Sequence, residues 1–374
     1  MAQTSLARGR GAPARTHKRM RRSVSGLLGV GLAAAAVATS PLGARAGADE
    51  SRSPASYASA SGNLTGISCV STSVCMVTGE VDDVSGGSVI GTTDGGHTWQ
   101  QLATPPGVGA LAAVACATAA ICEVVGSGNG DAGAVYGTTN GGQSWTTQPA
   151  VIGGGFFLGV ACPSIDVCEA TGNEGMIFGT VNGGASWTQQ DVPATADLVN
   201  GISCPSTTTC EAVGYGSGAL RTSDGGTAWV PQALPSSVQE LSGVSCYSLT
   251  HCVAVGIDSI HAGRREVGVL VSTQDGGVTW IRRHIPTGVD DLTSVACTAS
   301  GVCEAVGLGS TAIIGSTDGG RTWAAQVVPG SPYLLSVACQ GRRTCQAVGQ
   351  DVNGDIAVFR TTDGGAKWYR QRVP

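Results

Sequence analysis

Apolar and polar residues alternate with a period of two through most of the chain after residue 63. A recurring Leu-x-x-Val-x-Cys stretch predicts one β-strand, and the Cys-x-Ala-Val-Gly stretch that follows a short turn predicts the next. A third short strand, such as Val89-Ile90 or Ile313-Ile314, leads into an Asp-Gly-Gly turn, and a Trp begins the fourth strand. Since no stretch of useful length has the 3.6-residue period of a helix, the pattern predicts an all-β chain.

The four predicted strands form a unit that recurs along the chain. Each unit has two cysteines separated by five residues and closes with a Thr/Ser-x-Asp/Asn-Gly-Gly-x-x-Trp turn. The cysteine pairs, which number the repeats from one to seven, are Cys69 with Cys75, Cys116 with Cys122, Cys162 with Cys168, Cys204 with Cys210, Cys246 with Cys252, Cys297 with Cys303 and Cys339 with Cys345. Units of about 44 residues over 64–371 have the size of a four-stranded propeller blade. We therefore predict a seven-bladed β-propeller with four antiparallel strands per blade; a β-solenoid is the alternative, although its repeats are usually shorter.

The paired cysteines raise the question of metal against disulfide. Zinc motifs favour two to four intervening residues and often add His, whereas the histidines after residue 46 occupy no repeated position. An even count with equal spacing in an exported chain favours one disulfide per blade, between its first two strands. We predict no metal and no cofactor.

The Asp-Gly-Gly turns also have two interpretations. A calcium-binding or catalytic role would need the carboxylate, yet two repeats carry Asn instead of Asp. An Asp or Asn side chain can accept hydrogen bonds from the amides of its own turn, and Gly supplies backbone angles that other residues resist. We therefore predict a structural role for Asp94, Asn140, Asn182, Asp224, Asp275, Asp318 and Asp363.

These turns resemble a known family. Thr92-Thr93-Asp94-Gly95-Gly96-His97-Thr98-Trp99 and Ser316-Thr317-Asp318-Gly319-Gly320-Arg321-Thr322-Trp323 look like Asp-box (BNR) repeats of sialidase-like propellers. The fuller unit is closer to the propeller of the photosystem II assembly and stability factors. That resemblance implies the fold and a non-enzymatic, chaperone-like binder. The cysteine pairs stand where the family often has apolar residues, which suggests a distinct exported branch.

The beginning of the chain indicates export. Residues 1–22 are basic, 27–39 are apolar, and Ala44-Arg45-Ala46 is typical of a cleavage site, so we expect a signal peptide at 1–46. A membrane anchor is the alternative, but the apolar run is short and rich in Gly and Ala. The Sec and twin-arginine routes both stay open. Residues 47–63 are expected to be a flexible lead-in, and the mature protein to be secreted or associated with the cell envelope.

The charge of the mature chain constrains its partners. The first 46 residues hold eight of the 21 basic residues and no acid, which leaves 13 basic against 26 acidic residues and a net charge of −13. Such a surface repels phosphate backbones and disfavours nucleic acid. It favours a basic or neutral partner, or a sugar bridged by metal.

Length variation locates the candidate binding surface. Nearly all of it falls between the second and third strands of each repeat, and variable loops around a rigid ring usually carry the binding. The candidate ligand-contacting residues are His261, Arg264, Arg265, Glu266, Asp82, Asp83 and Asp351. The arginine pair could hold a carboxylate or sulfate, or could be a solvated loop tip. Asp351 begins either a calcium loop or, more often for Asn-Gly, a plain hairpin turn.

Two functions from different classes fit the sequence. A sialidase would carry an early Phe/Tyr-Arg-Ile-Pro motif, and the nearest string, Arg283-His284-Ile285-Pro286, comes late and in the wrong part of a blade. Aromatic residues in the links between blades, Phe156, Phe157 and Tyr333, could present faces to sugar or be buried. We predict a monomeric, non-enzymatic binding or scaffold propeller for a protein or glycan, with no catalytic residue assigned. A sialidase-like glycoside hydrolase with two facing carboxylates is the alternative.

Overall fold

β-branched and small apolar residues fill the strands, and the all-β prediction is confirmed. The computed structural model describes residues 61–374 except 82–85, 131, 150–154, 195, 217, 259–266 and 331. Among the described residues the regular elements are strands, and none forms a helix that could cross a membrane. The expected signal peptide lies outside the described residues. The first strand begins at Gly62, so the last two residues of the expected flexible lead-in, Gly62 and Asn63, belong to a strand.

Each repeat supplies four strands in chain order. The first strands of the repeats are β1 (Gly62–Cys69), β5 (Val108–Cys116), β9 (Phe157–Ala161), β13 (Leu198–Ser203), β17 (Glu240–Cys246), β21 (Val289–Cys297) and β25 (Tyr333–Gln340). The second strands are β2 (Cys75–Val81), β6 (Cys122–Gly128), β10 (Cys168–Gly172), β14 (Cys210–Tyr215), β18 (Cys252–Asp258), β22 (Cys303–Gly309) and β26 (Thr344–Gln350). The third strands are β3 (Ser88–Thr92), β7 (Gly133–Thr138), β11 (Ile177–Thr180), β15 (Ala219–Thr222), β19 (Val267–Thr273), β23 (Ile313–Ser316) and β27 (Ile356–Thr361). The fourth strands, which start one residue after the repeat Trp, are β4 (Gln100–Gln101), β8 (Thr146–Thr147), β12 (Thr188–Gln189), β16 (Val230–Gln232), β20 (Ile281–Arg282), β24 (Ala324–Ala325) and β28 (Tyr369–Arg370).

The strands of one repeat pair antiparallel in chain order and form four-stranded sheets. A further strand pairing, Tyr215 with Glu240, joins the sheets of repeats four and five, and isolated bridges join other neighbouring repeats, as between Asn173 and Leu198. Consecutive antiparallel pairing needs only short connections. Each repeat can therefore complete a four-stranded sheet from its own consecutive strands.

Disulfides join the first two strands of each repeat. Cys69 and Cys75 lie directly opposite each other across β1 and β2, with their Cα atoms 4.0 Å apart. The other six pairs have the same connectivity, and no cysteine among the described residues is free. The predicted pairing is thus confirmed. Such bridges indicate folding in an oxidising compartment.

Repeat seven departs slightly from the predicted strand boundary. Its second strand was expected to begin at Cys345, as the strands of the other repeats begin at their second cysteine, but β26 begins one residue earlier. Gln340 pairs with Thr344 there, which extends the ladder by one step beyond the disulfide. Cys345 still lies opposite Cys339 and forms the predicted bridge with it, with Cα atoms 4.0 Å apart.

The connections leave the sheets on two opposite faces. In each repeat the first Gly of the Asp-Gly-Gly turn donates its N–H to a carbonyl of the disulfide turn, as in Gly95 to Ser73 at 2.8 Å. We call this side the turn face. On the other side the loop between the second and third strands contacts the link between repeats, as in Asn129 N–H to Gly107 O at 2.9 Å. We call this side the loop face.

The hydrophobic cores lie between sheets rather than within them. Each core combines buried residues of two consecutive repeats, because a four-stranded sheet alone leaves both of its apolar faces open to water. The last core joins the two ends of the repeat array: Leu64 and Ile67 of repeat one pack with Val348, Ile356 and Val358 of repeat seven.

Hydrogen bonds reinforce this closure. The N–H of Gly62 donates to Gly354 O at 3.0 Å, and the N–H of Ile67 donates to the hydroxyl of Ser336 at 3.3 Å. We call the contact between the sheet of repeat seven (β25–β28) and the sheet of repeat one (β1–β4) the seam. The repeats therefore close into a ring without exchanging a whole strand.

The disulfides make a first prediction. Replacing both Cys297 and Cys303 by Ala should lower the free energy of unfolding by about 2 kcal/mol, since each bridge closes a short loop in the unfolded chain. Urea unfolding of the oxidised protein measures the loss. Peptide mapping without reductant should return seven links within repeats. Free thiols in most pairs, or links between different repeats, would contradict the assignment.

Candidate partner-binding surfaces

The loop face was predicted to bind the partner, and its longest loops are only partly described. Asp82, Asp83, His261, Arg264, Arg265 and Glu266 all lie outside the described residues. Whether the loop face brings them together therefore stays a prediction. Asp351 belongs to the described part of the same face.

Asp351 is held by its own turn and by a neighbouring strand. Its carboxylate accepts hydrogen bonds from the N–H groups of Asn353 and Asp355 at 2.8 and 3.2 Å and from the Arg370 guanidinium at 2.8 Å. Burial opposes ionisation, but these hydrogen bonds outweigh it and keep the pKa of Asp351 below its ordinary value. The geometry favours the hairpin interpretation of this loop over a calcium loop. A ligand-contacting role for Asp351 stays a prediction.

Repeat five has the same arrangement at the base of its long loop. Arg282 donates to the buried carboxylate of Asp258 at 2.8 Å, and to the hydroxyl of Ser237 at the same distance. Like Asp351, Asp258 ends or follows a second strand, and its arginine partner lies in a fourth strand. An ion pair thus fixes the root of each loop while the loop itself can vary.

The link aromatics divide between burial and exposure. Phe157 is fully buried and meets Phe178 edge to face, with ring centroids 5.7 Å apart. Phe156 and Tyr333 are 42% and 44% exposed. The first is thus part of a core, whereas the other two offer apolar surface on the loop face.

The first strands surround a cavity of about 260 Å³ on the ring axis, to which all seven repeats contribute. Small residues line it because the first strands approach closely there. A Cβ atom on Gly201 would lie 3.0 Å from Ser242 O and 3.2 Å from the Cα of Gly243. The residues that line the cavity carry no charge, so it offers little to recognise a specific ligand.

The turn face is built from one repeated hydrogen-bond network. The buried hydroxyl of Thr92 donates to the Asp94 carboxylate at 2.8 Å and accepts the Gly96 N–H at 2.8 Å, while the Thr98 N–H donates to the same carboxylate at 2.9 Å. Asn140 makes the equivalent bonds with its amide oxygen. All seven turns share the core of this network, which explains why Asn can replace Asp.

The hydrogen bonds also set the acidity of the turn carboxylates. Donation from the side chain and N–H of Thr279 lowers the pKa of Asp275 to about 2. Hydrogen bonds from Thr98 lower the pKa of Asp94 in the same way. These carboxylates are therefore ionised near neutral pH and are poor proton donors for catalysis.

A second repeated network, which was not predicted from the sequence, links neighbouring sheets. In four repeats the residue after the second cysteine is a buried glutamate. Its carboxylate accepts a hydrogen bond of 2.9 to 3.2 Å from a glutamine that lies in the fourth strand or directly after it. The oxygen of that glutamine accepts the indole N–H of the next repeat's Trp at 2.7 Å. The glutamates are Glu123, Glu169, Glu211 and Glu304, and their glutamines are Gln148, Gln190, Gln232 and Gln326.

Burial changes the protonation of these glutamates. It raises the pKa of Glu123, Glu169 and Glu304 to about 8 and that of Glu211 to about 7, where a hydrogen bond from Arg221 opposes the rise. The second carboxylate oxygen of each has no hydrogen-bond partner in the described part of the chain. The protonated acid is therefore favoured at neutral pH in the three glutamates that lack an arginine partner. The sequence signal was a Glu at one fixed position of an otherwise apolar strand, with a Gln three residues after the repeat Trp.

The turn face also carries a cavity of about 490 Å³ between repeats four and five. Arg221, Asp224 and Asp275 contribute to its lining. The charge of Arg221 is already neutralised, because its guanidinium is paired with Glu211. The described residues contain no cluster of three or more His, Cys, Asp or Glu that could hold a metal ion.

Comparison with known proteins identifies the fold alone. No protein-family model matches the chain, and no curated protein matches it in sequence. Among solved structures it is similar to YCF48 from Cyanidioschyzon merolae, with 18% identity, a TM-score of 0.58, and coverage of 81% of this chain and 96% of that one. A structure of YCF48 bound to D1 peptide matches with 17% identity and a TM-score of 0.54, over 71% of this chain and 82% of that one.

Other propellers match equally well in shape. The WD40 β-propeller domain of Doa1 has 11% identity and a TM-score of 0.57, over 81% of this chain and 94% of that one. An ancestral GH74 enzyme has 14% identity and a TM-score of 0.61, over 84% of this chain but 46% of that one. At these identities the likeness establishes the fold and no activity.

The turn network makes a second prediction. Asp318→Ala should lower the free energy of unfolding by about 1 kcal/mol or more, because the Thr322 and Arg321 N–H groups lose their acceptor. Asp318→Asn is the matched control and should cost less, since Asn140 keeps the same backbone bond. Thermal and urea unfolding measure both variants. A variant with wild-type melting that no longer binds a partner would contradict the structural role.

The buried glutamates make a third prediction about pH. Glu304 has a pKa of about 8 when folded against 4.5 in the reference state, so its contribution to stability is full below about pH 4.5 and is lost as the pH rises through about 8. The free energy of unfolding should therefore fall between about pH 5 and pH 8.5, and Glu304→Gln should flatten that fall. Urea unfolding across the range tests it, with exposed Glu80→Gln as the control. An unchanged slope in Glu304→Gln would contradict the assignment.

The arrangement of the sheets defines the architecture of the chain. Four-stranded antiparallel sheets follow one another in repeat order, their cores are shared between neighbours, and the last sheet closes on the first. The solved structures that the chain resembles include a WD40 β-propeller domain. The chain has a β-propeller fold.

Proposed function

We propose that the chain is an exported, seven-bladed β-propeller of the Asp-box type that binds a protein partner as a non-enzymatic scaffold. The observation that carries this proposal is the construction of the ring. The same disulfide and the same turn hydrogen bonds recur in every repeat, and the repeated acidic side chains are bound within these networks. The repeated positions thus serve the structure, and the surface that differs between repeats is left for recognition.

The structural neighbours support protein binding. YCF48 was solved with a D1 peptide, and propellers of the WD40 type also match the chain. A rigid ring can display loops that need not fold alone, so it loses little conformational entropy on binding. Export through a signal peptide at 1–46 and a monomeric state belong to the same proposal.

We place the main contact on the loop face at repeat five, whose loop between the second and third strands is the longest. Arg264 and Arg265 form the one adjacent arginine pair among these loops. The ion pair of Asp258 with Arg282 fixes the base from which this loop leaves. Exposed Phe156 and Tyr333 supply apolar contact area on the same face.

A glycoside hydrolase is the second candidate, favoured by the likeness to a GH74 enzyme. A glycosidase needs two carboxyl groups across the scissile bond. Asp258 and Asp351 of the loop face are instead paired with arginines. Turnover of fluorogenic glycosides by the purified protein would favour the hydrolase over the scaffold.

The fourth prediction tests the loop face. Deleting residues 261–266 should leave the melting temperature nearly unchanged, because the deletion lies between β18 and β19 and removes no residue of either strand, and should weaken partner capture. Chemical cross-linking in the cell envelope, followed by quantitative mass spectrometry, compares the deletion with wild type. Arg321→Ser, on the turn face, serves as the control. Capture of the same partners at the same affinity after the deletion would place the binding face elsewhere.

A further inference from the structure

Among the residues after position 46, positive charge is concentrated between 342 and 372. Residues 53–220 contain no Lys or Arg, whereas six of the 13 basic residues after position 46 lie between 342 and 372. One of the six, Arg370, is neutralised by Asp351 on the loop face. Arg342, Arg343 and Lys367 are exposed near the turns of repeat seven. An otherwise acidic ring therefore carries a basic patch beside the seam.

The backbone holds these residues together on the turn face. The N–H of Gly364 donates to Arg343 O at 2.9 Å, which joins the disulfide turn of repeat seven to its Asp-Gly-Gly turn. The N–H of Lys367 donates to the Asp363 carboxylate at 3.0 Å in the same turn. Arg360 is the second-last residue of β27, the strand that leads into this turn.

Arg360 reaches across the seam to repeat one. Its guanidinium lies against Gly95, where a Cβ atom would come within 2.9 Å of Nη2, and its Nη1 lies 3.4 Å from Nε2 of exposed His97. Gly95 has a φ of 75°, so a larger residue is disfavoured there on conformational grounds as well. No acidic side chain of the described residues forms an ion pair with Arg360.

Repeat four shows what the seam lacks. Arg221 occupies the position equivalent to Arg360, lies against the equivalent Gly276, and is paired with the fully buried carboxylate of Glu211. In repeat seven the residue opposite Arg360 is the neutral Gln346. Gln346 is 1% exposed, and neither polar atom of its side-chain amide has a hydrogen-bond partner among the described residues. The Nε atom of Arg360 also has no hydrogen-bond partner among the described residues. The same guanidinium is therefore present without its carboxylate.

We propose that the seam binds a carboxylate-bearing segment of a protein partner, with Arg360 as the primary contact and Arg342, Arg343 and Lys367 around it. A guanidinium that is partly withdrawn from water without a counter-ion favours an acceptor, and its planar fork matches a carboxylate. The proposal rests on the proposed binding function and adds a second site on the opposite face. It assigns this face an acidic partner, although the ring as a whole favours basic or neutral ones.

Nucleic acid is the competing class of ligand for a basic patch. A protein that binds nucleic acid needs a stripe of positive charge that follows the phosphate backbone. The mature chain has a net charge of −13, and repeats one to three carry no Lys or Arg. A short acidic peptide segment can contact the seam without approaching the rest of the ring. The chemistry therefore favours carboxylates of a protein.

The test uses the purified mature protein and a fluorescein-labelled hexaglutamate peptide, with hexaglutamine as the neutral probe. Fluorescence anisotropy at about 20 mM and about 200 mM salt should show binding of hexaglutamate alone, weakened by salt. Arg360→Gln should weaken it about tenfold or more. Gln346→Glu should do the same without touching the arginine, because it recreates the Glu211–Arg221 pair and supplies the missing carboxylate internally. Arg321→Gln, an exposed arginine of the turn face away from the seam, should change the affinity by less than about twofold.

The midpoint of urea unfolding, measured for each variant, separates loss of binding from loss of folding. Gln346→Glu should retain or raise this midpoint while it lowers the affinity for hexaglutamate. The proposal is overturned if both seam variants bind hexaglutamate as wild type does, or if Arg321→Gln loses as much affinity as they do. Tighter binding of a single-stranded DNA oligomer than of hexaglutamate would also overturn it. Failure of hexaglutamate to bind the wild type removes the seam site alone, because the cross-linking experiment on the loop face tests the scaffold function separately.

Discussion

The ring depends on the contact by which each sheet covers the next. A four-stranded sheet cannot bury either of its faces by itself, so every core in the described residues is shared between two consecutive repeats. The repeat Trp is central to that contact, and in four repeats its indole N–H reaches a glutamine of the preceding sheet at 2.7 Å. A buried N–H that had no acceptor would cost free energy comparable to a lost hydrogen bond. The interaction thus ties neighbouring sheets together at these four interfaces.

The glutamine in turn depends on the glutamate beneath it. Burying four carboxyl groups is unfavourable unless they are protonated or paired, and the raised pKa values of Glu123, Glu169 and Glu304 show that burial is the dominant effect. Other pairs of residues take the places of this Glu and Gln in the remaining repeats. Repeat one has Met76 and Leu102 in the two positions, which pack as apolar side chains. The interface therefore tolerates a polar or an apolar pair, and each choice changes what the adjoining surface can do.

The closed ring has two different faces, the turn face and the loop face. Turns joined by identical hydrogen bonds make the turn face uniform, so a departure from uniformity stands out there. Arg221 opposite Glu211 and Arg360 opposite Gln346 are such departures, since repeats two, three and six have a glycine opposite the buried glutamate. On the loop face two ion pairs between an aspartate and an arginine secure the strand ends and leave the loops beyond them free to differ. A scaffold built in this way can change its ligand without changing its core.

The sequence alone determined what is local. The strands follow from the period of two, the disulfides join residues six positions apart, and the turn network lies within a span of seven residues, so each can be read from a short stretch of chain. Only the tertiary structure decided how distant residues meet. The closure of Leu64 onto Val348, the pairing of Asp351 with Arg370, and the approach of Arg360 to His97 depend on the angle between sheets. That angle is set by side-chain packing summed around the whole ring, which no short stretch of sequence contains.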